Sequence, residues 1–269
     1  MKKILFPTDF SERAEEALVY ALGLAEAFKS DLTLMHVYRV YSTSGMFVSV
    51  ESFMKENAAE QMLEHLSHAE GKLLNGVRVD SKILRGEVVK MVREVGEKGH
   101  YDLIVMGTKG ASGLQEIFTG STTNGVMKRT CCPVLAIPAG HGFKPPKNIV
   151  LAIDEQPVSH AGVVMPLLNI ARRFKSDIGV FHKDTGQSDA GIDPSIDLFL
   201  DTVEHSYHYE LDTDNLNKSI NDFVAETKAD MLCMIRRQRN FVDQLFHVSS
   251  TTREVFDSPV PLLVLHDDA

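Results

Sequence analysis

Along the first half of the chain, short and nearly continuous apolar runs alternate with longer stretches whose apolar residues return every three or four positions. The runs at about 2–7, 32–38, 77–84, 102–106 and 133–137 predict strands, in a β-α-β-α-β order. Strands apolar on both faces are expected where helices cover both sides of a parallel sheet. In the first helical stretch, Ala14, Ala17, Leu18, Ala21, Leu22, Leu24, Ala25 and Phe28 form one apolar stripe. Ser11 stands where an N-cap belongs, and Glu12, Glu15 and Glu16 suit the positive helix end. In such a sheet, crossovers are right-handed and ligands gather at the carboxyl ends of the strands.

The pattern occurs twice. Lys3-Ile4-Leu5-Phe6-Pro7-Thr8-Asp9 is answered by Asn148-Ile149-Val150-Leu151-Ala152-Ile153-Asp154, each an apolar run closing on an aspartate. Phe28-Lys29-Ser30-Asp31-Leu32 returns as Phe174-Lys175-Ser176-Asp177-Ile178, and each leads into a run ending near His36 or His182. Ser121-Thr122-Thr123 with Cys132-Pro133-Val134-Leu135 is echoed by Ser250-Thr251-Thr252 with Ser258-Pro259-Val260-Pro261-Leu262-Leu263. These matches indicate a duplication. The stretch Pro138 to Pro146, rich in proline and glycine, resists both helix and sheet and marks the junction, giving units at 1–140 and 147–269. The terminal apolar runs Val134–Ile137 and Leu262–Leu265 suit edge-to-edge pairing across a two-fold axis, either within the duplicated chain as a pseudo-dimer or between chains in a homodimer.

Composition narrows the function classes. A chain of 269 residues, 43% hydrophobic and 24% charged, matches ordinary globular domains. A net charge of -9 argues against nucleic acid and anionic membrane as partners. The strongest cationic cluster, Arg236, Arg237 and Arg239 with Lys228 nearby, reads as a solvated turn. Three cysteines, Cys131, Cys132 and Cys233, make no disulfide framework and no C-x-x-C site, which suits a reducing compartment. The N-terminus reaches Pro7 and Asp9 before a signal-peptide core develops, and no later run approaches the roughly 20 apolar residues of a membrane span, so a cytoplasmic protein is expected.

The chemistry concentrates in Met106-Gly107-Thr108-Lys109-Gly110-Ala111-Ser112-Gly113 and its continuation to Gly120-Ser121-Thr122-Thr123, a G-x2-G-x9-G-S pattern directly after a predicted strand. Glycines let backbone amides approach a phosphate without a side chain in the way. Gly120-Ser121 would open a helix to about Arg129, turning free amides and a positive dipole end toward an anion. The bland alternative is that these are turn glycines and Ser121 a cap. Neither G-x4-G-K-[ST] nor a G-x-G-x-x-G after the first strand is present, which removes the conventional P-loop and dehydrogenase readings.

On these residues, with Phe6-Pro7-Thr8-Asp9-Phe10-Ser11, His36-Val37 and the closing Pro133-Val134-Leu135-Ala136-Ile137-Pro138 in the same order, the first half resembles an ATP-binding universal stress protein. The resemblance implies two tandem α/β Rossmann-like units of the adenine nucleotide alpha hydrolase-like kind, each a five-stranded parallel sheet with helices on both faces. It implies that Pro7, Thr8, Asp9 and Val37 line the adenosine side. It further implies that Gly107, Gly110, Gly120, Ser121, Thr122 and Thr123 hold the phosphate chain of ATP, with Mg2+ bridging it. Met106 ends the strand beneath, and Lys109 would add charge from the loop or stand as a solvated lysine. Asp9 also has a local alternative, as a cap for the helix that starts near Ser11.

The second half departs from the pattern. Alignment on Ser250-Thr251-Thr252 sets Arg236 opposite Gly107, Arg239 opposite Gly110 and Ser249 opposite Gly120, so every phosphate-loop glycine is replaced while Asp154 survives. This half is expected to bind no ATP. His65 with His68 and His205 with His208 stand three apart, as ligands on a helix would, but lack the further ligands of a zinc site. Cys131 and Cys132 read as small hydrophobes, and Ser42 to Phe53 reads either as a cover over the crevice or as a connecting loop. No catalytic residue is assigned. Three functions stand open: a nucleotide-binding stress module with slow hydrolysis at most, a genuine ATPase or nucleotidyl-transfer enzyme, and a nucleotide-free scaffold.

Overall fold

A computed structural model describes residues 1–40, 47–72, 77–108, 121–154, 156–184, 192–211, 216–237 and 258–267. The first half runs β1 (Lys3–Pro7), α1 (Glu12–Phe28), β2 (Asp31–Tyr38), α2 (Phe47–Lys72), β3 (Val79–Arg85), α3 (Val88–Lys98), β4 (Leu103–Gly107), α4 (Ser121–Arg129) and β5 (Val134–Ile137). The second runs β6 (Asn148–Ile153), α5 (Met165–Phe174), β7 (Asp177–Asp184), α6 (Ser195–Leu200), β8 (His205–Leu211), α7 (Leu216–Glu226), β9 (Met231–Arg236) and β10 (Leu262–His266). Of the stretch Ser42 to Phe53, residues 47–53 are the opening turns of α2 rather than a loop, and 41–46 lie outside the described residues. No helix among the described residues is long and apolar enough to cross a membrane.

The strands form one ten-stranded sheet, ordered β3-β2-β1-β4-β5-β10-β9-β6-β7-β8. Each half therefore has the same doubly wound order, and within each half the pairing is parallel. The two final strands meet antiparallel inside this single chain, with Val134 opposite Val264, Leu135 opposite Leu263 and Ala136 opposite Leu262. Alternate strand residues feed two apolar layers. Ile4, Phe6, Leu32, Leu34, Leu103 and Val105 face α1 and α2, and the same layer continues to α5 and α6. Leu5, Met35, Ile104 and Met106 face α3 and α4 on the opposite side, where the layer extends to α7.

The repeated Phe-Lys-Ser-Asp sequence is one helix-to-strand turn used twice. Lys29 and Lys175 end α1 and α5 in the left-handed region, at φ 54 and 53°. The buried Ser30 and Ser176 hydroxyls donate to Met1 O and Pro146 O, and the amides of Asp31 and Asp177 donate to Lys2 O and Lys147 O. Each turn thus launches a strand beside the opening strand of its half. The junction is also packed. The Phe143 ring meets Tyr20 edge-on at 5.3 Å and Phe174 at 6.0 Å, joining α1 to α5. It lies over Gly23 so closely that a Cβ there would stand 2.2 Å from the ring.

Candidate functional site

In the first half the chain leaves β1 toward β2 and β3 on one side and returns through β4 and β5 on the other, so the topological switch point lies between the carboxyl ends of β1 and β4. That is where open α/β sheets bind ligands. Pro7 ends β1 half-buried, Thr8 is buried, and Asp9 is exposed at the rim. Across the gap stand Met106, buried, and Gly107, half-buried, at the end of β4. Ser121 and Thr122 are exposed on the first turn of α4, where amides have no intrahelical acceptor. Val37 is half-buried near the end of β2. Lys109, Gly110 and Gly120 lie outside the described residues.

Local bonds explain why these residues sit where they do. The Thr8 amide donates to Met35 O at 2.8 Å, extending the β1–β2 ladder by one residue, and the Thr8 hydroxyl accepts from the Phe10 amide at 3.0 Å. Phe10 then turns through φ 61°, a left-handed conformation rare outside glycine and asparagine. Its ring stacks on His36 at 4.3 Å and meets His65 edge-on at 5.0 Å. Asp9 Oδ1 accepts from the Ser11 hydroxyl at 2.6 Å, while that hydroxyl accepts from the Ala14 amide at 3.2 Å. Asp9 thus buttresses the α1 cap and still presents an exposed carboxylate. Thr123 is buried, with its hydroxyl donating to Gly107 O at 2.7 Å. It ties α4 to the end of β4.

His36 is a participant that residue type alone did not single out. Its Nδ1 pairs with Thr8 O at 2.9 Å, fixing the loop that carries Asp9. Burial lowers its pKa from the ordinary value, against the opposing pull of the Thr8 carbonyl and of Asp9. The cysteines separate: Cys131 is exposed, whereas Cys132 is buried, donates to Tyr101 O, and has its thiol pushed up to about 12 by burial, consistent with a small apolar residue. His205 and His208 lie on strand β8, so their spacing puts them on opposite faces instead of one helix face.

The universal stress protein family matches residues 1–138. The chain belongs to the universal stress protein family. A universal stress protein from Methanocaldococcus jannaschii is 33% identical over 141 residues, covering 51% of this chain and 81% of that protein. One from Thermus aquaticus is 34% identical over 142 residues, covering 51% and 98%. A solved universal stress protein from Archaeoglobus fulgidus extends the fold similarity to the whole molecule, covering 98% of both chains at a TM-score of 0.75 and 21% identity.

The second half of this universal stress protein shares the strand order but places an ion-pair cluster at the equivalent strand ends. Between the ends of β6 and β9, the Arg237 guanidinium pairs with Asp154 through Nη1 and donates from Nε to Asp267 Oδ2 at 3.1 Å. Asp267 also takes the Ser159 amide at 3.1 Å and the Ser159 hydroxyl. Arg237 and Asp154 side chains are each 9% exposed and Asp267 is 4% exposed, so the arginine is a buried ion-pair member and not part of a solvated turn. Burial alone would raise the Asp267 carboxyl, but the Ser159 and Arg237 bonds outweigh it and hold the pKa below the ordinary value. Asp154, the counterpart of Asp9, is already committed. Arg239 and Ser249 lie outside the described residues.

Proposed function

We propose that this universal stress protein holds one ATP per chain, in the first-half crevice, and acts as a stress-response module through conformation or partner contacts. The observation that supports the reading is the convergence of Pro7, Thr8 and Asp9 from β1, Met106 and Gly107 from β4, and the exposed start of α4 on one switch point. Pro7 and Val37 offer half-buried apolar surface for adenosine, and Asp9 an acceptor for ribose hydroxyls. Ser121, Thr122 and the first-turn amides of α4 offer donors for phosphate, with Gly107, Gly110, Gly120 and Lys109 completing that side. The nucleotide supplies a polyanionic chain whose charge Mg2+ offsets. Mg2+ would be carried mainly by the phosphate oxygens of the nucleotide.

Among the described residues that meet at the switch point, Asp9 is the acid that could act as a general base, and it already serves the α1 cap. In the second half the Arg237 pair occupies the corresponding space, which is the reason to assign it no nucleotide. The two units are taken as 1–140 and 147–269, working in the cytoplasm. The test is the nucleotide-to-chain ratio, measured by mass spectrometry of small molecules released on denaturing the protein after incubation with ATP and magnesium. The expected value is near one adenine nucleotide per chain. Two would refute the closed second half, and none would refute ATP binding and leave a scaffold. Steady phosphate release at about one per second or faster would make the protein an ATPase instead.

A further inference from the structure

α4 is a poor helix by itself. Its nine residues, Ser-Thr-Thr-Asn-Gly-Val-Met-Lys-Arg, include a glycine and three β-branched residues, and isolated helices this short are marginal. It is held at both ends by side chains. At the start, Thr123 donates to Gly107 O, a bond within the first half. At the end, the Met127 carbonyl has lost both backbone donors that might reach it. The Thr130 amide is bonded to Val126 O at 3.0 Å, and the Cys131 amide to Glu97 Oε1 at 3.1 Å. The donor that Met127 O receives comes from the other half of the molecule: His266 Nε2, at 2.7 Å, from the last residue of β10.

His266 is itself fixed. It pairs in register with Arg236 of β9, and the next residue, Asp267, donates its amide to Arg236 O at 3.0 Å while its carboxylate holds Arg237 and Ser159. We infer that His266 is a positioning residue for the first-half site: it caps α4 from the second half, so the closed half sets the position and order of the helix whose start faces the phosphates. This rests on the ATP reading above for its binding consequence, although the cap on α4 does not.

The variants are His266→Ala, which removes the donor, and His266→Gln, whose amide nitrogen restores one at similar reach. Affinities for ATP with magnesium and for adenosine are measured by calorimetry, and amide hydrogen exchange in α4 is followed in the ligand-free full chain. A helix that must first be ordered lowers apparent affinity by the fraction that is competent. His266→Ala is therefore expected to weaken ATP about three- to tenfold, the worth of one neutral hydrogen bond, with adenosine within about twofold. It should also speed exchange in α4, and His266→Gln should restore both. A uniform loss for ATP and adenosine, or unchanged exchange in α4, would overturn the inference. If wild-type protein binds no ATP, the functional reading fails, and the exchange result still decides whether His266 orders α4.

Discussion

Replacing Arg237 by methionine tests whether the second crevice is closed by a desolvated ion pair. Methionine keeps much of the aliphatic stem but removes the guanidinium that bonds Asp154 and Asp267, leaving two carboxylates, 9% and 4% exposed, with no cation between them. Removing one partner of a buried pair typically costs about 3–5 kcal/mol, far above the ~0–1 kcal/mol of an exposed bridge. Ser159 still donates to Asp267, which favours the lower end, about 3 kcal/mol. For a protein of this size that corresponds to a fall in Tm of at least ~6 °C. The loss also has a pH signature. In the wild type the depressed Asp267 carboxyl contributes stability that is present above its unfolded pKa and lost as pH falls through the lower folded value. Without Arg237 the two Ser159 bonds remain but both Arg237 contributions are lost, so the carboxyl rises from its wild-type value and less of its stabilisation survives. The variant's deficit against wild type should grow as pH rises from about 3 to about 7. Urea unfolding followed by far-UV circular dichroism at both pH values reads the difference. A loss below ~1 kcal/mol, or a deficit that does not change with pH, would mean that Arg237 is effectively solvated and that something else fills the crevice.

Two further changes probe the first half and the junction. Gly23→Ala would gain up to ~1 kcal/mol of helix propensity at an open site, but here the added Cβ would stand 2.2 Å from the Phe143 ring, and overpacking should give a net loss of about 1–2 kcal/mol. In a Phe143→Ala background the same change should become stabilising; if thermal unfolding shows no reversal of sign, Phe143 does not dock on α1. His36, whose imidazole is lowered by burial, protonates less readily folded than unfolded, so it should cost stability as pH falls from about 6.5 toward its folded pKa. His36→Asn, which keeps a donor near the Nδ1 position, should flatten the stability change between pH 7 and pH 5, and an unaltered slope in denaturant titrations would assign that dependence to another group.

What was legible in the sequence was what short-range pattern controls. Buried parallel strands appear as apolar runs, and the Phe-Lys-Ser-Asp turn repeats because its left-handed lysine and its serine anchor are local devices. Ser11 as the α1 cap and the span of α4 from Ser121 to Arg129 follow from the same kind of signal. The Phe47 to Phe53 turns of α2 were obscured because a nearby glycine and serines read as a break. Long-range chemistry left no comparable trace. Arg237 sits in a run of arginines that looks solvated, and its partners lie 83 and 30 residues away. His266 reaches a carbonyl 139 positions earlier, and a carbonyl carries no residue type to recognise. Thr123 stands out in the sequence as part of the Gly-Ser-Thr-Thr run, but only the fold reveals that its hydroxyl points back to Gly107.

The contribution of the second half to the first is made by β10, the strand that joins the two halves of the sheet. β5 is four residues long, Val134 to Ile137, each at most 2% exposed, and such an apolar strand would be a site of indiscriminate pairing if left at an edge. β10 covers it antiparallel, and the residues that do so, Leu262 to Val264, belong to the strand that ends in His266 and Asp267. Covering the β5 edge, capping α4 and clamping Arg237 are thus consecutive tasks of one strand and its exit. The ion pairs of Arg237 with Asp154 and Asp267 anchor the exit of β10 within the second half, so the strand that covers β5 and reaches α4 is held by contacts independent of the first half.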